Sequence, residues 1–349
     1  MGSNFSVVKH TSLDALSEKV LDFIRTLDIY YQPEFLICDA KMQGGDYELA
    51  IFENAGNFWV YPYIVVPIAN TPYFDITSPY GYAGPAANDN ALQAMAEQSF
   101  MHYIAERGNI VCEFVRYHPV YNEHLLFEKD ISNLVNRRVV LVNTVDPNDI
   151  WMNQFSATNR NLVRKMENDN FTWLIKPFKK EDLPEFNKAY QANMVHSGAT
   201  DYYFFPLSYF EELIHNIDYK LQIVHVQKDG VTYASALFFI SGNLATYFLS
   251  ARNLSFPKIP ASNLLLSKMA TWCVEHGISL LNLGGGLSLD ESDHLFKFKS
   301  NFSKQIKNFH IGKRIHGRDL YKQLQENYIL THGEESYQQV KHILQFYRY

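Results

Sequence analysis

Cysteine is scarce: Cys38, Cys112 and Cys273 are the only three in 349 residues, odd in number and far apart. That excludes a disulfide framework and any zinc-type spacing, and each cysteine reads as a reduced core residue of a cytoplasmic protein. A basic excess is also missing, since 31 Lys and Arg face 37 Asp and Glu for a net charge of −6. A broad nucleic-acid-binding face therefore fails, and no DNA partner is expected, although a local basic groove stays open. No apolar run reaches the length of a membrane span and no secretory signal opens the chain, which leaves peripheral contact as the one route to a membrane. Met1-Gly-Ser-Asn-Phe-Ser6 fits the loose myristoylation pattern, which chance or a cloning remnant explains more simply.

Familiar catalytic signatures are absent too. There is no H-E-x-x-H and no G-x-S-x-G, and the His residues are scattered, so neither a metal nor a serine nucleophile is expected. What the chain has instead is aromatic bulk, with 23 Tyr and 25 Phe, and a 47% hydrophobic share. At this length two domains with a sizeable core are expected.

The order of patterns repeats. In the first half, helical spacing over 13–27 precedes strands near 48–53 and 58–68 and a Pro/Gly-rich stretch, Thr71–Pro85. A helix over 90–107 then stops at Gly108 before the strand Ile110–Tyr117. In the second half, strands Val231–Ser241 and Ala245–Ala251 lead into the loop Arg252–Pro260. A helix from Ser262, its expected cap, runs to His276 and stops at Gly277 before the strand Ile278–Leu283. Helices over 160–168, 180–195 and 206–216, a strand at 221–227 and a helical tail over 318–349 complete the expectation. The fold class is α/β with mixed sheets, and the two copies meet near Asp146-Pro-Asn-Asp149. A ligand of such a repeat belongs in a cleft.

The densest signal is Leu281-Asn-Leu-Gly-Gly-Gly286 followed by an acidic loop and Phe296-Lys-Phe-Lys299. Glycines at a strand end permit close backbone approach, and two lysines put cations beside them. An anionic ligand or a developing oxyanion would suit that pairing. The plainer alternative is a glycine turn with solvated lysines. The P-loop is excluded because no Lys-Ser or Lys-Thr follows the glycines, and no G-x-G-x-x-G opens a helix there.

Other constellations carry weaker signals. Tyr80-Gly-Tyr82-Ala-Gly-Pro85 would suit a sugar or peptide acceptor, or it is a rigid connector. Arg116 and His118 sit at the end of the first closing strand, where Arg can hold an anion and His can move a proton. Arg160 and Arg164 share a helical face suited to diphosphate, or are simply solvated. Ser262 and Asn263 open a helix whose N-terminus can take a phosphate. Tyr202 and Tyr247 are candidates for a cleft wall, or packed aromatics.

Taken together, Phe155-Ser156, Arg160–Lys165, Pro206–Leu213, Ala245–Ser250, Ser262–Leu266, Gly284–Gly286 and His294–Ser303 resemble the FemAB-like branch of the GNAT acyltransferase superfamily. Phe298-Lys299 and Phe302-Ser303 fall in register with the family's Phe-Lys, two residues, aromatic-Gly/Ser pattern. The Tyr80–Pro85 loop resembles that of the cell-envelope polysaccharide members. The resemblance implies two tandem GNAT-like domains, 1–147 and 148–311, with the tail 312–349 packing back on the first. It implies acyl transfer to an amine, with no tightly bound cofactor and a small-molecule acceptor and donor as partners. Lys299 carries over as the lysine beside the reacting carbonyl or donor phosphate, with Gly285, Gly286 and Phe298 around it. Asp75 and His118 are candidate bases. The missing pyrophosphate motif at Arg252–Ser262 weighs against acetyl-CoA, while the acidic charge favours an acyl-CoA over aminoacyl-tRNA. The absent helical-hairpin arm and the lack of an Arg after 187–195 weigh against a peptidoglycan acceptor. The expected activity is N-acylation of a nucleotide-linked amino sugar or related envelope precursor. The alternatives are aminoacyl-tRNA-dependent transfer to a peptidoglycan precursor and a binding module without turnover.

Overall fold

The computed structural model describes residues 3–9, 16–257 and 259–349. The start of the expected 13–27 helix, the Met1-Gly2 pair and Lys258 lie outside them. In chain order the strands are β1 (Asn4–Lys9), β2 (Asp46–Asn54), β3 (Asn57–Pro67), β4 (Phe74–Thr77), β5 (Ala86–Ala87), β6 (Ile110–Arg116) and β7 (Ile131–Asn143). They continue with β8 (Thr172–Pro177), β9 (Leu221–Lys228), β10 (Val231–Ser241), β11 (Leu244–Arg252), β12 (Leu280–Gly285) and β13 (Gln305–Ile315). Two compact units form: Met1–Ile24, Asp39–Asn136 and Phe309–Tyr349 in one, Arg25–Cys38 and Arg137–Asn308 in the other. Residues 25–38, which the sequence leaves in the first half, belong to the second unit, where Asp28 accepts from Thr246 at 2.8 Å and Leu27 from Ser241 at 2.6 Å.

In the first unit the strand order is β1-β2-β3-β4-β6-β13. The β2–β3 hairpin turns at Ala55-Gly56, both at positive φ, the geometry that matches strand twist in a two-residue loop. β4 and β6 run parallel, so a crossover must join them, and helix Gln93–Arg107 provides it. That helix ends at Gly108 with φ 67°, as the sequence predicts. Trp59, Tyr61, Tyr63, Phe100 and Phe127 fill the core, accounting for part of the aromatic bulk. Arg314 is buried between Glu97 (2.6 Å) and Glu113 (3.0 Å), which ties the C-terminal segment to this unit. The expected helical tail contains the helices Arg318–His332 and Glu334–Val340, broken at Gly333.

The second unit orders its strands β7-β12-β11-β10-β9-β8. The same device recurs, with parallel β11 and β12 joined by helix Ala261–Glu275 and closed by Gly277 at φ 70°. The helix starts one residue before Ser262 and its cap position is Pro260, with no side-chain cap bond, so the expected serine cap is not formed. Three further helices flank the sheet, Ala157–Asn168, Leu183–Ser197 and Leu207–Ile217. Their apolar faces and that of Ala261–Glu275 meet it through Val163, Met166, Phe186, Tyr190, Phe210, Leu213, Leu264 and Met269, all buried. The mixed α/β class expected from the sequence is the class observed.

Candidate active site

Within the second unit, β11 and β12 are paired only from Leu244–Thr246 to Leu280–Asn282. Past that point β12 stays with β7, Gly285 opposite Val139, while β11 stays with β10. The register on β10 passes from Leu237–Leu249 to Phe238–Tyr247, which leaves Phe248 as an extra, bulged residue. A bulge bends its strand and re-aims its side chains, and the two parallel neighbours part just before Tyr247 on β11 and ahead of Gly285 on β12.

The glycines fit this geometry for separate reasons. Gly284 has φ 69°, a region that glycine enters without strain. Gly285 is pressed against β7, where a Cβ would stand 2.8 Å from the Arg138 carbonyl oxygen. Gly286 lies against the Asp293 carboxylate, which a Cβ would meet at 2.5 Å. Gly286→Ala should therefore lower the melting temperature by an amount equivalent to about 1–3 kcal/mol, typical of overpacking. A thermal melt unchanged from the wild type would show that Asp293 can move aside at no cost.

Asp293 organises the loop. Its carboxylate accepts from the backbone N–H groups of Leu287, Ser288 (2.7 Å) and Phe296 (2.9 Å), capping helix His294–Ser300. Burial opposes its charge, but those N–H groups hold its carboxyl below the usual range. The Phe-Lys-Phe-Lys run is thus helical rather than extended. In a strand, Lys297 and Lys299 would share a face; in a helix, two residues turn the chain by about 200°. Lys297 is exposed and Lys299 is buried, with 6% of its surface accessible.

Lys299 Nζ donates to the Gly285 carbonyl at 2.7 Å and stands 5.3 Å from the Tyr247 ring centre. Among the described residues no carboxylate lies within ion-pair distance of it. Burial and the Arg137 cation outweigh the attraction of Asp293 and bring its pKa down to about 7. Arg137 itself donates to the next carbonyl, Gly286, at 3.0 Å, and Arg138 covers Phe296 at 4.3 Å. Two cations therefore staple two successive glycine carbonyls, and Lys299 keeps donor capacity for something else. Sequence reasoning misses Arg137 and Asp293. The available signals were the apolar run Val139–Val142, which marks β7, and an Asp shortly ahead of the Phe-Lys-Phe-Lys run.

The other anticipated residues divide. Gly285, Gly286 and Tyr247 gather around Lys299, and Phe298 packs nearby on Phe302 at 5.5 Å. Arg160 is not free for phosphate: its guanidinium donates to the carbonyls of Trp151 (3.1 Å), Met152 (3.3 Å) and Phe155 (2.6 Å), closing the wide turn Ile150–Gln154. Arg164 lies over Trp151 at 5.3 Å. Asn263 is buried and donates to Asn159 at 2.8 Å, tying two helices together; Ser262 stands beside it in the first turn. Tyr202 is exposed, edge-on to Tyr203.

Asp75, His118, Tyr80, Tyr82 and Arg116 belong to the first unit. Asp75 is fully buried and serves as an anchor: Arg348 reaches it at 2.7 Å, the Tyr347 hydroxyl at 2.7 Å and the Cys112 thiol at 3.3 Å. Asp75→Asn should cost about 1–3 kcal/mol in stability through the lost charged bonds, with transfer per folded molecule within twofold of wild type. A loss of turnover beyond the folded fraction would return Asp75 to the list of bases. His118 is buried against Tyr121 (4.3 Å) and Tyr82 (5.4 Å), and its Nδ1 accepts from Val120 N–H at 3.2 Å. The backbone N–H of Tyr80 donates to Asp39 at 2.8 Å, and Arg116 lies over Phe114 at 5.7 Å.

Residues 211–315, which contain Tyr247, the three glycines, Asp293 and Lys299, match the FemAB family. No curated protein sequence matches the chain. The solved structure of FemX is 13% identical and superposes over 92% of this chain and 99% of its own, with a TM-score of 0.70. L-PGS from Bacillus licheniformis follows at 14% identity, 85% of this chain, 92% of its own and a TM-score of 0.57. The C-terminal domain of a putative lysylphosphatidylglycerol synthetase from Agrobacterium fabrum gives 14%, 90%, 97% and 0.55. In the described residues no helix is long and apolar enough to cross a membrane. The chain is FemAB-like through the segment that builds the lysine site, and it shares the α/β fold of FemX.

Proposed function

We propose that the protein is an amide-forming acyltransferase and that Lys299 is its principal catalytic residue. The observation that carries this reading is a buried lysine with no carboxylate partner among the described residues, fixed where two parallel strands part. In acyl transfer an amine nitrogen attacks the acyl carbonyl, the carbonyl oxygen takes up negative charge, and the bond to the thiol or hydroxyl carrier then breaks. An ammonium already held in place stabilises that oxygen without reorganisation, which is the largest usual contribution to such catalysis. Tyr247, its ring centre 5.3 Å from Lys299 Nζ, offers an aromatic wall to the acyl group there. The proton lost by the amine leaves through water or the departing carrier.

An acyl-CoA is the favoured donor, and the amino group of a nucleotide-linked amino sugar or related envelope precursor is the favoured acceptor. An aminoacyl ester on tRNA is the second reading; Lys297 is exposed on the same short helix as Lys299 and offers a cation to a phosphate chain. A donor panel separates the two. The protein is incubated with acyl-CoAs or aminoacyl-tRNAs and with UDP- and dTDP-amino sugars, and amide products are detected by mass spectrometry. Product from acyl-CoA is expected; product from aminoacyl-tRNA alone would move the donor to the second reading.

A further inference from the structure

Strand β8 ends the sheet of the second unit. It pairs with β9 on one side, and among the described residues no strand pairs with the other. The register decides which of its main-chain groups face outward. Phe178 N–H donates to the Leu221 carbonyl at 2.8 Å, so the hydrogen-bonded pairs continue as Lys176–Ile223, Leu174–His225 and Thr172–Gln227. Trp173 and Ile175 therefore turn their N–H and C=O groups to the open edge. The ladder stops on either side of them: Phe171 N–H is taken by the Met166 carbonyl at 3.1 Å, and Pro177 has no N–H.

An open edge is a template for another strand unless charge or a bulge blunts it. That protection is weak here. Lys176, the one cation in the strand, is held by Asp182 at 2.5 Å. Trp173 is 46% exposed and Leu174 44%, although Lys268 stands 3.9 Å over the Trp173 ring.

The edge also complements itself. A two-fold axis through Leu174, perpendicular to the sheet, sets Trp173 opposite Ile175 of a second copy in two fully bonded pairs. Moving the axis one residue either way brings Phe171 or Pro177 into such a pair and leaves half of it unmade. With the axis at Leu174, aromatic meets β-branched side chain on one face and leucine meets leucine on the other. Exposed Asp169, ahead of the strand, comes to the end where the second copy carries exposed Lys179 and Lys180.

We propose that two copies of this chain associate through β8, antiparallel, so that the sheet of one second unit continues into the other. The six residues of edge make a small contact of the transient class. β12, with Gly284 and Gly285, lies four strands away, about 19 Å at about 4.8 Å per strand. Monomer and dimer thus present the same lysine site, whether or not it transfers acyl groups.

Sedimentation velocity of the full chain should show a monomer–dimer equilibrium, the dimer fraction rising from about 5 to about 500 µM protein. Leu174→Lys sets two cations face to face at the axis. It should weaken the dimer Kd at least tenfold and leave the melting temperature of dilute protein within a few degrees of wild type. Asp169→Lys and Lys179→Glu should each weaken it severalfold, and the two together should restore it. Cysteine substitution checks the register. Across the axis two residues 174 stand about 4.5 Å apart between Cα atoms, within disulfide reach, whereas two residues 172 are offset by about 13 Å. The native Cys38, Cys112 and Cys273 are buried. Mild oxidation should therefore cross-link Leu174→Cys into dimers and leave Thr172→Cys monomeric. Monomer at every concentration, a dimer unchanged in Leu174→Lys or in both single charge variants, or equal cross-linking of the two cysteine variants overturns the interface.

Discussion

Lys299→Ala should lower kcat on the order of 10²–10³-fold, the usual effect of removing one oxyanion donor from a preorganised site. The size follows from the setting. Lys299 is buried, and among the described residues its one hydrogen-bond acceptor is the Gly285 carbonyl. In so dry a place a hydrogen bond to a developing charge is worth far more than at the surface. KM for the acceptor should change little, because the interaction strengthens only as the oxyanion forms. Steady-state kinetics on the purified variant check both numbers. A rise in acceptor KM with kcat unchanged would make Lys299 a binding residue rather than a catalytic one.

The same substitution in an apolar form should make the protein more stable. A lysine whose pKa falls from 10.5 unfolded to about 7 folded holds fewer protons in the native state between those values. The unfolded chain binds the extra proton there, so stability rises with pH from about 7 to about 10.5, and below about 7 the full cost is present. A shift of that size corresponds to a penalty of up to about 5 kcal/mol at neutral pH, at about 1.4 kcal/mol per pKa unit, as an upper bound. Lys299→Met keeps most of the side-chain volume and removes the charge. It should gain a few kcal/mol at pH 7 and remove this part of the pH slope. The difference between wild type and variant in urea unfolding at pH 7 and pH 10 isolates the contribution. A difference that is the same at both pH values would mean that Lys299 is charged and solvated in the folded protein.

Such a penalty is what a site built for function rather than for stability shows, and the sequence discloses part of it. The repeated order of strand, irregular loop, helix, glycine and strand is legible because Gly108 and Gly277 stop helices for a local backbone reason. The glycine run is legible for the same kind of reason. The short helix His294–Ser300 is not, because alternating Phe and Lys imitates the period of a strand, and only the Asp293 cap makes it helical. Preference for Lys299 over Lys297 therefore comes from the family resemblance, and its physical cause, opposite faces of one helical turn, appears only in the structure. Arg160 looks like a phosphate ligand in sequence, since nothing local shows that three carbonyls of a wide turn will claim it. Asp75 looks like a base for the same reason: its partners, Tyr347 and Arg348, are more than 270 residues away in the chain.

The central claim is that the charged form of a perturbed Lys299 does the chemistry, and the pH dependence of kcat/KM tests it most directly, because that parameter reports the free enzyme's essential groups. For the wild type kcat/KM should fall as pH rises through about 7, where Lys299 loses its proton, and the residual activity of Lys299→Ala should lack that limb. A wild-type profile that climbs through this range and stays flat above it, or a falling limb that persists in Lys299→Ala, would contradict the account.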